Sequence, residues 1–130
     1  MMMRRLLVLM LMAAGLSACN KKTAEEQAMA AAQECYTQLL EGHYEDFLDG
    51  RAGMDSIPES FREQLLVTYK QFAHQQGSNH EGWVNVEATR ARMDSTLRLM
   101  QVYLLVSYAD STQEEIVVPM VEHDGEWKMK

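Results

Sequence analysis

The chain has 130 residues, a formal net charge of −7 and 47% hydrophobic residues, which leaves room for one compact domain and excludes two ordinary folds. Residues 1–18 carry five of the eleven methionines, 14 apolar residues and no acid, so Arg4 and Arg5 come off the basic count and 10 basic against 19 acidic residues remain, a balance of −9. A surface this acidic is not expected to meet nucleic acid.

The N-terminus reads as a signal peptide over 1–18: Arg4 and Arg5, an apolar run from Leu6 to Ala14, then Gly15-Leu16-Ser17-Ala18-Cys19. As a helix the stretch from Leu6 to Ala18 would reach about 20 Å, short of the roughly 30 Å hydrocarbon core. Leu16-Ser17-Ala18-Cys19 resembles the lipobox of bacterial lipoproteins. The resemblance implies cleavage before Cys19, its modification with two or more acyl chains, palmitate among them, and a stable membrane anchor, at about 0.8 kcal/mol per buried CH₂. The alternative is a secretory signal with an incidental cysteine. Asn20 departs from the aspartate that retains lipoproteins in the inner membrane of enteric bacteria, so the expected location is the cell envelope, outer membrane rather than inner, with the leaflet open. Residues 19–23 form the lipidated tether, and Cys35 is left without a disulfide partner.

Residues 24–130 are expected to form one α+β domain. Thr23-Ala24-Glu25-Glu26 matches a capping box that starts a helix with the stripe Ala28, Ala32, Cys35 and Leu39, ended by Gly42. A short amphipathic segment follows with Tyr44, Phe47 and Leu48, closed by Gly50, and a glycine-containing loop leads to Pro58. Pro58 opens a further helix with the stripe Phe61, Leu65, Tyr69 and Phe72, and Gly77 is the expected stop. Beyond Gly82 the period becomes extended, with strands expected near 83–92, 97–109, 113–122 and 126–130. Asp124-Gly125 predicts a type I′ hairpin turn, which sets His123 opposite Glu126, Glu122 opposite Trp127, Val121 opposite Lys128 and Met120 opposite Met129. Strand 97–109 is apolar on both sides: it is either central and shielded by a loop, or its second face meets a partner.

Helices followed by an antiparallel meander resemble the nuclear-transport-factor-2-like, or cystatin-like, cone, in which helices pack on a curved four-stranded sheet. The ending Val121-Glu122-His123-Asp124-Gly125-Glu126-Trp127-Lys128 is similar to the last hairpin of small bacterial lipoproteins of unknown function with this fold. The resemblance spans about residues 24–130 and implies architecture, not a catalytic residue.

His43, His74, His80 and His123 show no spacing that places two metal ligands on one face, and no metal or other cofactor is expected. Cone-fold isomerases and cyclases place a carboxylate or histidine in an apolar cavity with tyrosine donors nearby. The candidates here are Tyr36, Tyr69, Tyr103, Glu87 and Asp55, with no acid marked as inward-facing; Tyr36, Tyr69, Tyr103 and Trp127 are candidate cavity lining. Cys35 reads as a buried small hydrophobe. Arg90, Arg92 and Arg98 flank one turn, either as an anion contact or as a charged edge that resists aggregation. The expected function is a lipid-anchored, non-catalytic binding or protein-interaction module, bound to the membrane through its anchor, with the cone cavity or the outer sheet face meeting a small ligand, a protein partner or a second copy. The alternatives are an envelope enzyme of the cone-fold isomerase or cyclase type and a structural accessory of a membrane complex.

Overall fold

A computed structural model describes residues 22–130. The expected signal peptide, the lipobox-like segment with Cys19 and the first part of the expected tether lie outside the described residues. Three helices, α1 (Ala24–Leu40), α2 (Tyr44–Asp49) and α3 (Glu59–Asn79), precede four strands, β1 (Trp83–Asp94), β2 (Leu99–Tyr108), β3 (Gln113–His123) and β4 (Glu126–Met129). The strands form one antiparallel sheet in the order β1-β2-β3-β4. No helix among the described residues is long and apolar enough to cross a membrane.

α1 begins where Thr23 Oγ1 accepts the Glu26 N–H at 3.2 Å. It ends in a Schellman motif: the Gly42 N–H donates to Leu39 O at 3.2 Å, the His43 N–H to Gln38 O at 2.8 Å, and Gly42 takes φ 81°. Ala28, Ala32 and Leu39 are fully enclosed, and Cys35 is half-buried. The two alanines let the helix axis approach the sheet closely, and α1 lies mainly along β1.

The inner face of the sheet carries Met100, Val102, Leu104, Val106 and Tyr108 of β2, with Val118 and Met120 of β3 and Met129 of β4 in register beside them. Burial of each such aliphatic side chain contributes about 1.5–3 kcal/mol. The β3–β4 hairpin has the expected register at all four pairs, and Asp124 and Gly125 take φ 50° and 79°. β1 carries a bulge between Ala88 and Arg90, and the Ala88 N–H donates instead to Gln33 Oε1 of α1 at 2.9 Å. The opposite edge is closed by the segment after α2: the Ala52 N–H donates to Met129 O at 2.7 Å and the Met129 N–H to Gly50 O at 2.8 Å. The expected loop therefore acts as a fifth, bridge-length partner for β4, which removes an open edge.

Two expectations about α3 are corrected. Gly77 is not its stop: the helix runs on to Asn79, and the chain reverses where Glu81 and Gly82 take φ 64° and 112°. The Gly77 carbonyl still serves the cap, accepting the Gly82 N–H at 2.6 Å. Its missing side chain also admits Trp83, whose Cδ1 would lie 3.4 Å from a Cβ at this position. The stripe Phe61, Leu65, Tyr69, Phe72 is covered only in part: Tyr69 packs against the core, Phe61 is 47% and Phe72 43% exposed, and Ala73 is the one buried residue among the 21 of the helix. α3 packs on α1 and α2, and the sheet already occupies the inner face of α1, so α3 meets a narrow ledge.

β2 is an inner strand of the sheet; α1 packs with the inner-face core, no helix lies over the outer face among the described residues, and on that face Leu99 is buried beside the β1–β2 turn. Tyr103 and Leu105 are half-buried there beside Val117, which is 50% exposed.

Candidate functional site

The open end of the cone, between the C-terminal half of α3 and the ends of β1, β2 and β3, encloses a cavity of about 120 Å³. Four aromatic side chains line it, Tyr36 of α1, Phe72 of α3, Trp83 of β1 and Tyr108 of β2, together with Val106 and Ile116. Gln76 and Glu114 are its polar members. Glu114 stands opposite Val106 in the β2–β3 register and so projects to the inner face. Counting back in twos from Met120 through Val118 and Ile116 reaches Glu114, so its parity was readable, but nothing local marked where the concave face ends.

The cavity wall is braced by hydrogen bonds and stacking. The Tyr108 hydroxyl donates to Glu114 Oε2 at 2.8 Å, and Tyr108 is only 5% exposed. Burial pushes its phenol up to about 12, helped by the hydrogen bond and charge of Glu114 and by Asp110. His80 stacks on Tyr108 with centroids 4.2 Å apart, while its Nδ1–H donates to Asp110 Oδ2 at 3.1 Å. Thr112 donates its hydroxyl to Asp110 as well, and this bond leads the contacts that hold the Asp110 carboxyl below its ordinary value. Trp83 packs against Tyr108 at 5.6 Å and donates its Nε1–H to Ala73 O at 3.1 Å, which ties β1 to α3.

Of the residues proposed as lining, Tyr36 borders this cavity. It also packs edge-on against Phe47 at 5.4 Å, and burial, followed by the neighbouring Tyr69, pushes its phenol up to about 12. Tyr69 lies deeper between the helices, against Phe47 at 4.9 Å, and its hydroxyl accepts from Arg51 Nη1 at 3.0 Å. Tyr103 does not line the cavity: its register opposite Val117 turns it to the outer face, where the Arg90 guanidinium stacks 3.8 Å from its ring centroid. Trp127 is also elsewhere, in an open groove of about 700 Å³ between α1 and the last hairpin, with its buried Nε1 lacking a partner.

Glu87 pairs with Leu105 on the outer face, and Asp55 sits in the 3-10 turn Met54–Ser56 and lines a groove of about 950 Å³ with Arg51, Arg62 and His123. Arg90 is engaged by Tyr103 and lies 3.7 Å from Glu115; Arg92 stands opposite Gln101 and Arg98 occupies the β1–β2 turn with φ 54°, so the three arginines are spread along one edge. Cys35 abuts Gly50, and burial followed by the Glu34 charge pushes its thiol up to about 11. Among the described residues no three His, Cys, Asp or Glu side chains are grouped to hold a metal ion.

Sequence reasoning missed Phe72, Trp83, Tyr108 and Glu114 as site residues. Each lies on a different element or strand end, and only closure of the cone brings them together.

No family model matches the chain, and no curated protein does. The structure is similar to the crystal structure of an NTF2-like transpeptidase from Campylobacter jejuni, with a TM-score of 0.59 and 10% sequence identity, over 75% of this chain and 92% of that one. At that identity the likeness concerns the fold. The chain has a nuclear-transport-factor-2-like fold, with helices laid over a curved four-stranded antiparallel sheet.

Proposed function

We propose that this protein is a lipid-anchored binding or protein-interaction module of the cell envelope, non-catalytic, which engages a protein partner or a second copy through the outer face of its sheet. The observation that supports it is the composition of that face. Tyr103, Leu105, Val117, Pro119 and Val121 form an apolar centre, Arg90, Arg92, Glu87 and Glu115 stand around it, and among the described residues no helix packs on it. An apolar centre with a rim of both charges is the usual layout of a protein contact surface. The lipobox-like Leu16-Ser17-Ala18-Cys19 supports the anchor, and the absence of aspartate at residue 20 supports outer-membrane delivery.

The cone interior supports the non-catalytic part of the reading. Sites for drug-sized molecules span roughly 300–1,000 Å³, against about 120 Å³ here. The transpeptidation named for the Campylobacter protein would require an activated nucleophile. Cys35 has the opposite environment, since its raised pKa keeps it protonated. The inward Glu114 and its phenol partner Tyr108 favour a second reading, an isomerase or cyclase of small substrates.

The test is photo-crosslinking of the full chain in native membranes, from a crosslinker at position 117 and from a control at the equally exposed position 67 of α3. Adducts are expected from 117, and Val117→Glu should abolish the same complex seen by other means. Absence of adducts at 117 with unchanged assembly of the variant overturns the interface. A large membrane complex recovered from 117 would instead favour the structural-accessory role. A Cys19→Ala chain that is still labelled by palmitate and still membrane-bound overturns the anchor.

A further inference from the structure

We propose that the cavity at the open end of the cone is a binding site for a small alkylammonium cation, held among the rings of Tyr36, Phe72, Trp83 and Tyr108 with Glu114 as its counter-charge. The argument is one of elimination by chemistry and size. The lining is aromatic and aliphatic except for Gln76 and the Glu114 carboxylate. Among the described residues no Lys or Arg lies within ion-pair distance of that carboxylate. An anion would be repelled by Glu114, whose side chain stands exposed at the cavity mouth, and an apolar guest would leave that charge unanswered. A bare metal ion needs several oxygen ligands where one carboxylate stands. An organic cation satisfies both halves of the lining, since its charge meets Glu114 and its C–H surface meets ring faces through cation–π attraction.

Size agrees. A cavity of about 150 Å³ accepts benzene, with its six heavy atoms, so about 120 Å³ suits the five of tetramethylammonium or the trimethylammonium head of choline, with the hydroxyethyl arm left at the open mouth, and excludes bulkier heads. The walls are set in advance: Trp83 is held by its bond to Ala73 O, and Tyr108 is fixed by Glu114 on its hydroxyl and His80 on its ring. Phe72, 43% exposed on the weakly buried α3, stands on the side nearest solvent and provides an entry.

The cation could reach the site as a free solute or as the headgroup of a phospholipid, and the experiment separates the two. The full chain in maltoside micelles, which carry no choline, is titrated by calorimetry with tetramethylammonium, with choline, and with 3,3-dimethylbutan-1-ol, the uncharged isostere of choline. We expect saturable binding of both cations with Kd of roughly 1 mM, and binding of the isostere at least about tenfold weaker. Glu114→Gln, which keeps an acceptor for Tyr108, and Phe72→Ala, at a half-exposed position, should each weaken choline at least about tenfold with an unchanged circular dichroism spectrum. Binding to phosphatidylcholine vesicles but not to free choline assigns the headgroup as ligand; the reverse assigns a free solute. Equal affinity for choline and its isostere, unchanged affinity in Glu114→Gln, or no saturation by any of the three probes or by the vesicles overturns the proposal. Neither result bears on the outer sheet face, which crosslinking tests independently.

Discussion

α1 and α3 are both amphipathic helices in the same fold, yet they are held very differently. α1 has 17 residues and buries Ala28, Ala32 and Leu39 against the sheet, with small side chains at the closest approach and a bond from Gln33 to the β1 bulge. α3 has 21 residues, buries only Ala73, and leaves Phe61, Val67 and Phe72 largely in solvent. The difference follows from sequence order and geometry. The concave face of a four-stranded sheet holds one helix fully, and the helix that arrives on it takes the apolar contact. The other becomes a cover, anchored at Ala73 by Trp83 and at Tyr69 by Arg51. Low burial is the condition for local opening, and here it falls on the element beside the cavity.

The contrast can be broken hardest in the core. Leu104→Ala, at the fully buried centre of β2, should lower unfolding free energy by about 2–5 kcal/mol in urea titrations, whereas Phe61→Ala should cost under about 1 kcal/mol despite removing a larger side chain. Similar losses at both positions would mean that α3 is as integral as α1.

A smaller effect is expected at the seam between α1 and the segment that closes the β4 edge. A Cβ on Gly50 would come 2.5 Å from Cys35 Sγ, so Gly50→Ala should destabilise by about 1–3 kcal/mol, and Cys35→Ala in the same chain should recover most of it. Additive losses in the double variant would show that the strain lies elsewhere.

The smallest effect concerns the loop that backs the cavity. The Thr112 hydroxyl, with the Thr112 N–H and His80, lowers the Asp110 carboxyl below 3.8, so the folded state favours the ionised form. That contribution is present above the unfolded value and is lost as pH falls through the lower folded value. The urea midpoint should therefore drop below about pH 4 less steeply in Asp110→Asn than in the parent.

Much of the framework was legible because it rests on local rules. Thr23 caps a helix, Gly42 reverses it, and Asp124-Gly125 pins a hairpin whose register then assigns inner and outer faces by parity. The same parity sent Tyr103 outward. α3 was misread for a physical reason: a helical stripe states that a face is apolar, not whether another element is free to cover it. Leu65 and Tyr69 find more cover than Phe61 and Phe72 on the same stripe, which stay 47% and 43% exposed. Gly77 was misread because glycine serves equally as a terminator and as clearance, and the clearance is for Trp83, six residues further along the chain.

By itself the sequence determined the acidic balance, the lipobox-like N-terminus, the succession of helices and strands, and the pairing of the last hairpin, since composition, period and turn chemistry act over a few residues. Only the tertiary structure decided that Tyr36, Phe72, Trp83 and Tyr108 share one cavity with Glu114 and that, among the described residues, no helix covers the outer sheet face. Those outcomes depend on how far the sheet curves and which helix fills it, and no window of local sequence contains either quantity.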